Sequence, residues 1–213
     1  GLSLCEEPMR KFIGLSLCEE PMRKFILILC VLSLFAQCKK ERHPITSVPD
    51  DSLYQLDSEW KTQKNKVIHL RDLSGRVLIV GLIFTRCTAI CPTIVADMKT
   101  IEKNIGWFHK DDVGFLLVSI DPTRDTPEAM RSYMKKMNLD ESRWTFLQAK
   151  PPDVADLASL LGVKISPLPD GSFSHSRILT VLSPSGQIKF QDPRVSEDGA
   201  NFAEAARQAA DFH

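Results

Sequence analysis

The longest apolar runs in the middle of the chain predict two buried strands. Residues 77–84 (VLIVGLIF) and 113–120 (VGFLLVSI) are almost continuously apolar over strand length, as in strands that are covered on both faces of a sheet. Shorter apolar stretches bounded by turn residues predict four more strands, at 67–70, 144–147, 177–182 and 187–191. The last two flank the turn Pro184-Ser185-Gly186, an arrangement typical of a hairpin.

Helical periodicity appears between these strands. A single apolar stripe predicts a first helix that is closed by Gly106, and its members are Ile94, Met98, Ile101 and Ile105. A second helix is predicted to begin at Asp125 as N-cap, with Pro127 in the first turn and Glu128 at N3 as in a capping box. Two further segments, 152–161 and 200–212, are also predicted to be helical.

The second helix carries a stripe of larger side chains at helical spacing: Met130, Tyr133, Met134 and Met137. Methionine sulfur can bind soft metals, but the same spacing suits packing of a helix against a sheet. We interpret the stripe as packing.

The order of these elements, β-β-α-β-α-β-α-β-β-α, predicts an α/β domain with a central mixed β-sheet flanked by helices. Cys87 and Cys91 lie where the first long strand ends and the first helix opens. A cysteine pair at this place is typical of a thioredoxin-like fold. We place this domain at 65–213, preceded by a polar linker and domain entry at 39–64.

The N-terminal segment has a different character. Residues 1–13 recur letter for letter as 14–26, so we interpret 1–21 as a duplicated leader rather than as part of the fold. From Met22, two basic residues precede an apolar run over 25–36 and then Cys38. This pattern predicts an export signal at 22–38, and the apolar run is shorter than the ~20 residues that span a bilayer.

Cys38 is the predicted lipidation site of that signal, although Gln37 stands where a small residue usually precedes such a cysteine. A plain signal peptide and a short buried helix are the alternatives. Either signal predicts an exported protein; lipidation would in addition anchor it to the membrane, with the domain facing the periplasm or the cell exterior.

Charge and composition restrict the range of possible functions. The chain of 213 residues has 27 basic and 27 acidic side chains, so it lacks the basic excess that proteins use to bind nucleic acid. With 43% hydrophobic residues it can bury a core. Four of the six cysteines lie in the leader and signal, which leaves only Cys87 and Cys91 for the domain.

The two remaining cysteines are spaced C-x-x-x-C and are followed by Pro92, so they are predicted to straddle the start of a helix. Unpaired N–H groups and the helix dipole favour the thiolate there, which is both a nucleophile and a metal ligand. A structural disulfide is the less favoured reading, because closing three intervening residues restricts the unfolded chain little.

His175 is the third candidate residue. It lies just before the predicted strand 177–182, and in a thioredoxin-like sheet that connection runs beside the first helix's N-terminus. Two thiolates and one neutral imidazole form a soft ligand set that suits copper, and zinc would also accept it. The other histidines are poorer candidates by position: His43, His69, His109 and His213.

Three separate motifs, in the expected order, resemble the Sco/SenC family: residues 78–92 (LIVGLIFTRCTAICP), 119–128 (SIDPTRDTPE) and 174–176, with Pro184-x-Gly186 downstream. Members are membrane-tethered, thioredoxin-fold copper chaperones for assembly of the binuclear copper centre of cytochrome c oxidase. The resemblance implies one copper ion, Cu(I) or Cu(II), at Cys87, Cys91 and His175, and sulfurs that can cycle as a disulfide.

The same resemblance implies a copper-bearing oxidase subunit and a thioredoxin-like reductant as partners. It also matches Asp121 to a family aspartate that supports the site from outside, although a turn residue before Pro122 is an equally good reading. Two motifs depart from the family pattern. Arg86-Cys87-Thr88-Ala89 stands where the family often has His-Cys-Pro-Asp, and Ser174 replaces an aspartate before the histidine.

Three other functions compete with a copper chaperone, and the sequence leaves open whether the protein is an enzyme. A thiol–disulfide oxidoreductase needs the two cysteines but not His175. A peroxiredoxin-like peroxidase is suggested by residues 88–93 (TAICPT), but Phe84 stands where that motif has proline. A structural zinc module would lack a fourth protein ligand.

Overall fold

The computed structural model describes residues 47–106 and 111–211, with no side-chain account of Asp211. These residues belong to one compact unit, His43–His213. The predicted leader, export signal and Cys38 lie outside the described residues, as do His43, His109, Phe212 and His213. Within the part that the structure describes, no helix is both long and apolar enough to cross a membrane.

Nine strands are present in the described ranges. The main sheet contains seven of them: β1 Glu59–Thr62, β2 Val67–His69, β3 Val77–Ile83, β4 Val113–Ser119, β5 Trp144–Gln148, β8 Leu179–Leu182 and β9 Ile188–Asp192. The other two, β6 Ile165–Pro167 and β7 Phe173–His175, pair antiparallel with each other as a separate small sheet.

The main sheet has the strand order β2-β1-β5-β4-β3-β8-β9. Strand β4 runs parallel to β3 and to β5, while β8 runs antiparallel to β3 and β9. The helices are α1 Ile90–Ile105, α2 Pro127–Lys136, α3 Pro151–Leu160 and α4 Ala200–Asp211. The predicted mixed sheet with flanking helices is therefore confirmed.

The central strands are those with continuous apolar sequence. Every residue of β3 and β4 is buried, because helices cover the sheet and leave no solvated face for alternating polar residues. Met130 and Met134 of α2 are buried in the same core, which confirms that the methionine stripe packs the helix.

Gly81 allows α1 to lie close against β3. A Cβ atom at this position would stand 3.0 Å from Sδ of Met98 and 3.2 Å from a methyl carbon of Ile94, both on α1. The absence of a side chain thus sets the spacing between the central strand and the helix that begins with the cysteine pair.

The structure differs from the sequence-based predictions in three elements. Strand β1 lies inside the stretch predicted as linker and domain entry, and it pairs with β2 and β5. The β6–β7 hairpin was not predicted at all. The predicted N-cap Asp125 is wrong: Thr126 caps α2 by accepting a hydrogen bond from the Ala129 N–H at 3.3 Å, so Pro127 is the first helical residue.

Candidate metal centre

Cys87 lies in the turn between β3 and α1. The turn is closed by a backbone hydrogen bond from the Cys87 N–H to the Phe84 carbonyl at 3.1 Å. Helix α1 begins at Ile90 after an N-cap residue, Ala89, whose side chain cannot accept a hydrogen bond. The sulfur of Cys87 accepts one instead, from the Cys91 N–H at 3.4 Å, and so takes the place of an N-cap side chain.

This position favours the thiolate of Cys87. Partial burial alone would raise its pKa, but hydrogen bonds from the Cys91 thiol and from the N–H groups of Ala89, Ile90 and Cys91 outweigh burial and lower the pKa. The effect is the one expected for a cysteine at the N-terminus of a helix. Cys87 is also partly exposed, so a partner can reach it.

Cys91 has the opposite character. Its side chain is 0% exposed, and it lies in the first turn of α1. Burial raises the pKa of its thiol strongly, and the hydrogen bond that it gives to Cys87 raises it further. Both cysteines are free thiols. The pair is therefore an accessible nucleophile backed by a buried thiol.

The structure brings His175 to this pair. Strand β7 ends at His175, and its Nε2 lies 3.6 Å from Sγ of Cys91. Its Nδ1 lies 3.2 Å from the Ser176 carbonyl oxygen. Because a carbonyl can only accept, Nδ1 carries the proton in the neutral ring, and Nε2 presents its lone pair toward the sulfur.

The imidazole is held neutral and is packed on aromatic rings. Burial lowers the pKa of His175 and outweighs the hydrogen bond to Ser176. The Phe84 ring lies edge-on to the imidazole at 6.4 Å and to the Phe173 ring at 5.8 Å. Phe84 thus joins the turn that carries Cys87 to the hairpin that carries His175.

The observed spacing fits a shared metal ion. A sulfur and a nitrogen bound to one ion at about 2.3 and 2.0 Å lie about 3.5–3.7 Å apart, and the Cys91–His175 pair is already at 3.6 Å. Within residues 47–106 and 111–211, no three His, Cys, Asp or Glu side chains form a closed metal-binding group. Both contacts run through Cys91, so a three-ligand site requires Cys87 and His175 to close around the ion.

Asp121 is paired with a neighbouring arginine. Its carboxylate is buried and accepts a hydrogen bond from Nε of Arg124 at 2.5 Å. Arg124 also donates to the Gly171 carbonyl, and its guanidinium carbon lies 5.9 Å from the Phe173 ring centroid. Arg124 therefore links Asp121 to the β6–β7 hairpin.

Asp125, predicted as a helix cap, is a completely buried carboxylate under the site. It accepts hydrogen bonds from the Thr85 hydroxyl at 2.5 Å and the Ser119 hydroxyl at 2.6 Å, and the Thr85 N–H lies 3.2 Å away. Burial raises its pKa despite these bonds. Its charge in turn raises the pKa of Cys91. The sequence offered one indication that Asp125 belongs to the site: it lies with Asp121 just after the end of β4.

A second missed contact joins α1 to the segment that follows His175. The Arg177 guanidinium donates to the Asp97 carboxylate, and their side chains are 32% and 22% exposed. No sequence spacing predicts this pair, since 80 residues separate its members.

The fold and site together define a thioredoxin-like dithiol protein with an imidazole beside the buried sulfur, a class that exchanges disulfides or binds a soft metal ion. Residues 51–210 match the SCO1/SenC family, and the chain belongs to that family.

Known relatives agree with this assignment. The SCO1 protein homolog of Bacillus subtilis is 26% identical over 146 residues, which cover 66% of this chain and 75% of that protein. The structure of Bradyrhizobium japonicum ScoI with copper bound has a TM-score of 0.58 at 22% identity, covering 73% of this chain and 97% of that one. The BsSco structure, described for a disulfide switch and as a member of the Sco family of cytochrome c oxidase assembly proteins, has a TM-score of 0.64 at 22% identity. It covers 78% of this chain and 100% of that one.

Proposed function

We propose that this protein binds one copper ion through Cys87, Cys91 and His175 and serves the assembly of the copper centre of cytochrome c oxidase. It hands the ion to a copper-bearing oxidase subunit or reduces that subunit's cysteines. Membership of the SCO1/SenC family supports this role.

One observation carries the proposal: Nε2 of His175 lies 3.6 Å from Sγ of Cys91, with its lone pair toward the sulfur. The Ser176 carbonyl accepts a hydrogen bond from the Nδ1–H group of His175, which is how histidine ligands are commonly oriented. A plain dithiol oxidoreductase needs the two cysteines but no imidazole beside them.

Copper as cargo suits these donors. Cu(I) prefers soft thiolates, so it can pass to a partner's thiolates by stepwise ligand exchange without free ion in solution. Metal loading needs both sulfurs deprotonated, and the lowered pKa of Cys87 favours this for the first ligand.

The same pair supports disulfide exchange. The Cys87 thiolate attacks a partner disulfide and forms a mixed disulfide, and the partner's leaving sulfur departs as a thiolate. Cys91 then loses its proton and attacks the Cys87 sulfur, which closes the Cys87–Cys91 disulfide and releases the partner as a dithiol. Two electrons move to the partner, and the copper ligands are consumed. Copper occupancy is thus coupled to redox state.

Attack from Cys91, as a peroxiredoxin-like peroxidase would require, is disfavoured. Its thiol is fully buried, and burial raises its pKa. For the location, we propose export and anchoring through a lipid at Cys38. Mass spectrometry of the protein from membranes tests this directly, because lipidation leaves Cys38 as a modified N-terminal residue.

The deciding experiment is a Cu(I) titration of the reduced chain from residue 39 to 213, in which Cys87 and Cys91 are the only cysteines. We expect one ion per chain, and a loss of affinity of about tenfold or more in His175→Ala. His69→Ala is the matched control. Disulfide exchange should survive in His175→Ala. Equal copper affinity of His175→Ala and the unmodified chain would refute the three-ligand site.

A further inference from the structure

His175 lies at the end of β7, a strand that does not belong to the main sheet. Strand β7 pairs only with β6, and the two form their own small sheet. The main sheet resumes at Leu179, the first residue of β8. The short connection 176–178 therefore decides how the ring reaches Cys91 on α1.

One strong tie joins this connection to α1. Arg177 donates to the carboxylate of Asp97, which lies six residues after Cys91 on the same helix. Both side chains are partly buried, at 32% and 22% exposure. Charges in such a place are screened by salt less than charges on the open surface.

The tie adjoins the group that orients the ring, on a residue that also exchanges hydrogen bonds with the backbone of Lys164. Ser176 lies between His175 and Arg177, and its carbonyl accepts a hydrogen bond from Nδ1–H of His175, with 3.2 Å between nitrogen and oxygen. The Ser176 carbonyl belongs to the peptide bond that joins Ser176 to Arg177. Holding the Arg177 side chain against α1 therefore restrains this carbonyl. The ion pair thus acts on both the distance and the tautomer of the imidazole.

We infer that Asp97 and Arg177 are positioning residues that hold the lone pair of His175 against Cys91. This inference rests on the proposed copper site and adds a control of its ligand geometry. Neither residue is a ligand, because each is already engaged by the other.

The test compares Cu(I) affinity in the reduced chain 39–213 carrying Arg177→Gln, Asp97→Asn, or the charge exchange Asp97→Arg with Arg177→Asp. We expect each single variant to bind copper about tenfold more weakly, and the exchange to recover most of the loss. Arg207→Gln is the control, because Arg207 is 30% exposed and pairs with Glu204 on α4.

Two further readouts separate positioning from general loosening of the fold. In a His175→Ala background, Arg177→Gln should cause no additional loss of copper affinity. In the metal-free protein, nitrogen NMR of the His175 ring should report a proton on Nδ1, and Arg177→Gln should give a mixture of the two tautomers.

The outcomes distinguish this inference from the proposed function. If Arg177→Gln and Asp97→Asn keep both the affinity and the ring signal while His175→Ala loses affinity, the positioning role is wrong and the copper site stands. If His175→Ala binds copper unchanged, the proposed site is wrong. The ring signal of the metal-free variants then decides the positioning role alone.

Discussion

The N–H of Cys91 lies 3.4 Å from the sulfur of Cys87, so one cysteine caps the helix turn that contains the other. The two thiols are thereby unequal before any metal or partner arrives. Cys87 is partly exposed with a lowered pKa, whereas Cys91 is buried with a raised pKa.

This inequality predicts the order of chemical modification. In the reduced protein at neutral pH, iodoacetamide should alkylate Cys87 about tenfold faster or more than Cys91, because the thiolate is the reacting form. Peptide mass spectrometry over time measures both rates. In urea the two rates should converge, and equal rates in the folded protein would contradict the inequality.

The lowered pKa of His175 predicts a contribution to acid sensitivity. At pH values between the folded-state pKa of His175 and about 6.5, the imidazole is protonated in the unfolded chain but neutral in the folded chain. The stability from this group is therefore present above about pH 6.5 and lost as pH falls through the folded pKa, with a slope of at most about 1.4 kcal/mol per pH unit.

His175→Gln should remove that slope from urea unfolding curves of the metal-free, reduced protein. Asp125 acts in the opposite direction, because its raised pKa makes its contribution fade as pH rises. Asp125 contributes equally to the unmodified chain and to His175→Gln, so its contribution cancels in the difference between their unfolding free energies. A difference that does not change from pH 5 to 7 would show that the imidazole titrates normally.

Arg124 is predicted to hold the β6–β7 hairpin and to neutralise Asp121. Arg124→Gln should cost about 1–3 kcal/mol of unfolding free energy, because it leaves a buried carboxylate without its charged partner. It should also speed amide hydrogen exchange over Phe173–His175, since the bond to the Gly171 carbonyl is lost.

A double variant separates these two effects. Adding Asp121→Asn to Arg124→Gln removes the orphan charge and should restore part of the stability, while the fast exchange in the hairpin persists. Arg194→Gln is the control, because Arg194 is 88% exposed in its ion pair with Asp192. Unchanged hairpin exchange in Arg124→Gln would contradict the tie.

A side chain at Gly81 is predicted to crowd the side chains of Met98, Ile94 and Leu179. Gly81→Ala should destabilise the fold by about 1–3 kcal/mol through overpacking against Met98 and Ile94. Urea unfolding measures the cost, and an unchanged m-value would show that the denatured state is the same. A stability equal to that of the parent chain would mean that the Met98 side chain simply moves aside.

The central strands of the main sheet were predictable from the local sequence alone. Strands β3 and β4 are buried on both faces, so their residues must be apolar throughout, and 77–84 and 113–120 are. Strand β1 was missed because it is short and lies within a polar stretch. Its exposed residues, Glu59 and Lys61, alternate with the buried Trp60 and Thr62.

The sequence was sufficient to propose the three candidate residues, whose roles stay predictions, but not the contacts that support them. Cys87, Cys91 and His175 are identified by residue type and by their place relative to strands, and the structure brings Cys91 to within 3.6 Å of His175. The hairpin was missed because β6 and β7 have three residues each and lack buried positions. Asp125 and the Asp97–Arg177 pair depend on contacts between distant segments, which local patterns do not encode.

The hairpin between Ile165 and His175 contributes one ring at its end and no strand to the main sheet. Its tip is exposed, including Leu168 at 41%. Changes in length at this tip would leave the strands of the main sheet in place, but they would displace the Gly171 carbonyl to which Arg124 donates. Because the same hairpin ends at His175, the exposed surface around Leu168 and the position of the imidazole are mechanically coupled.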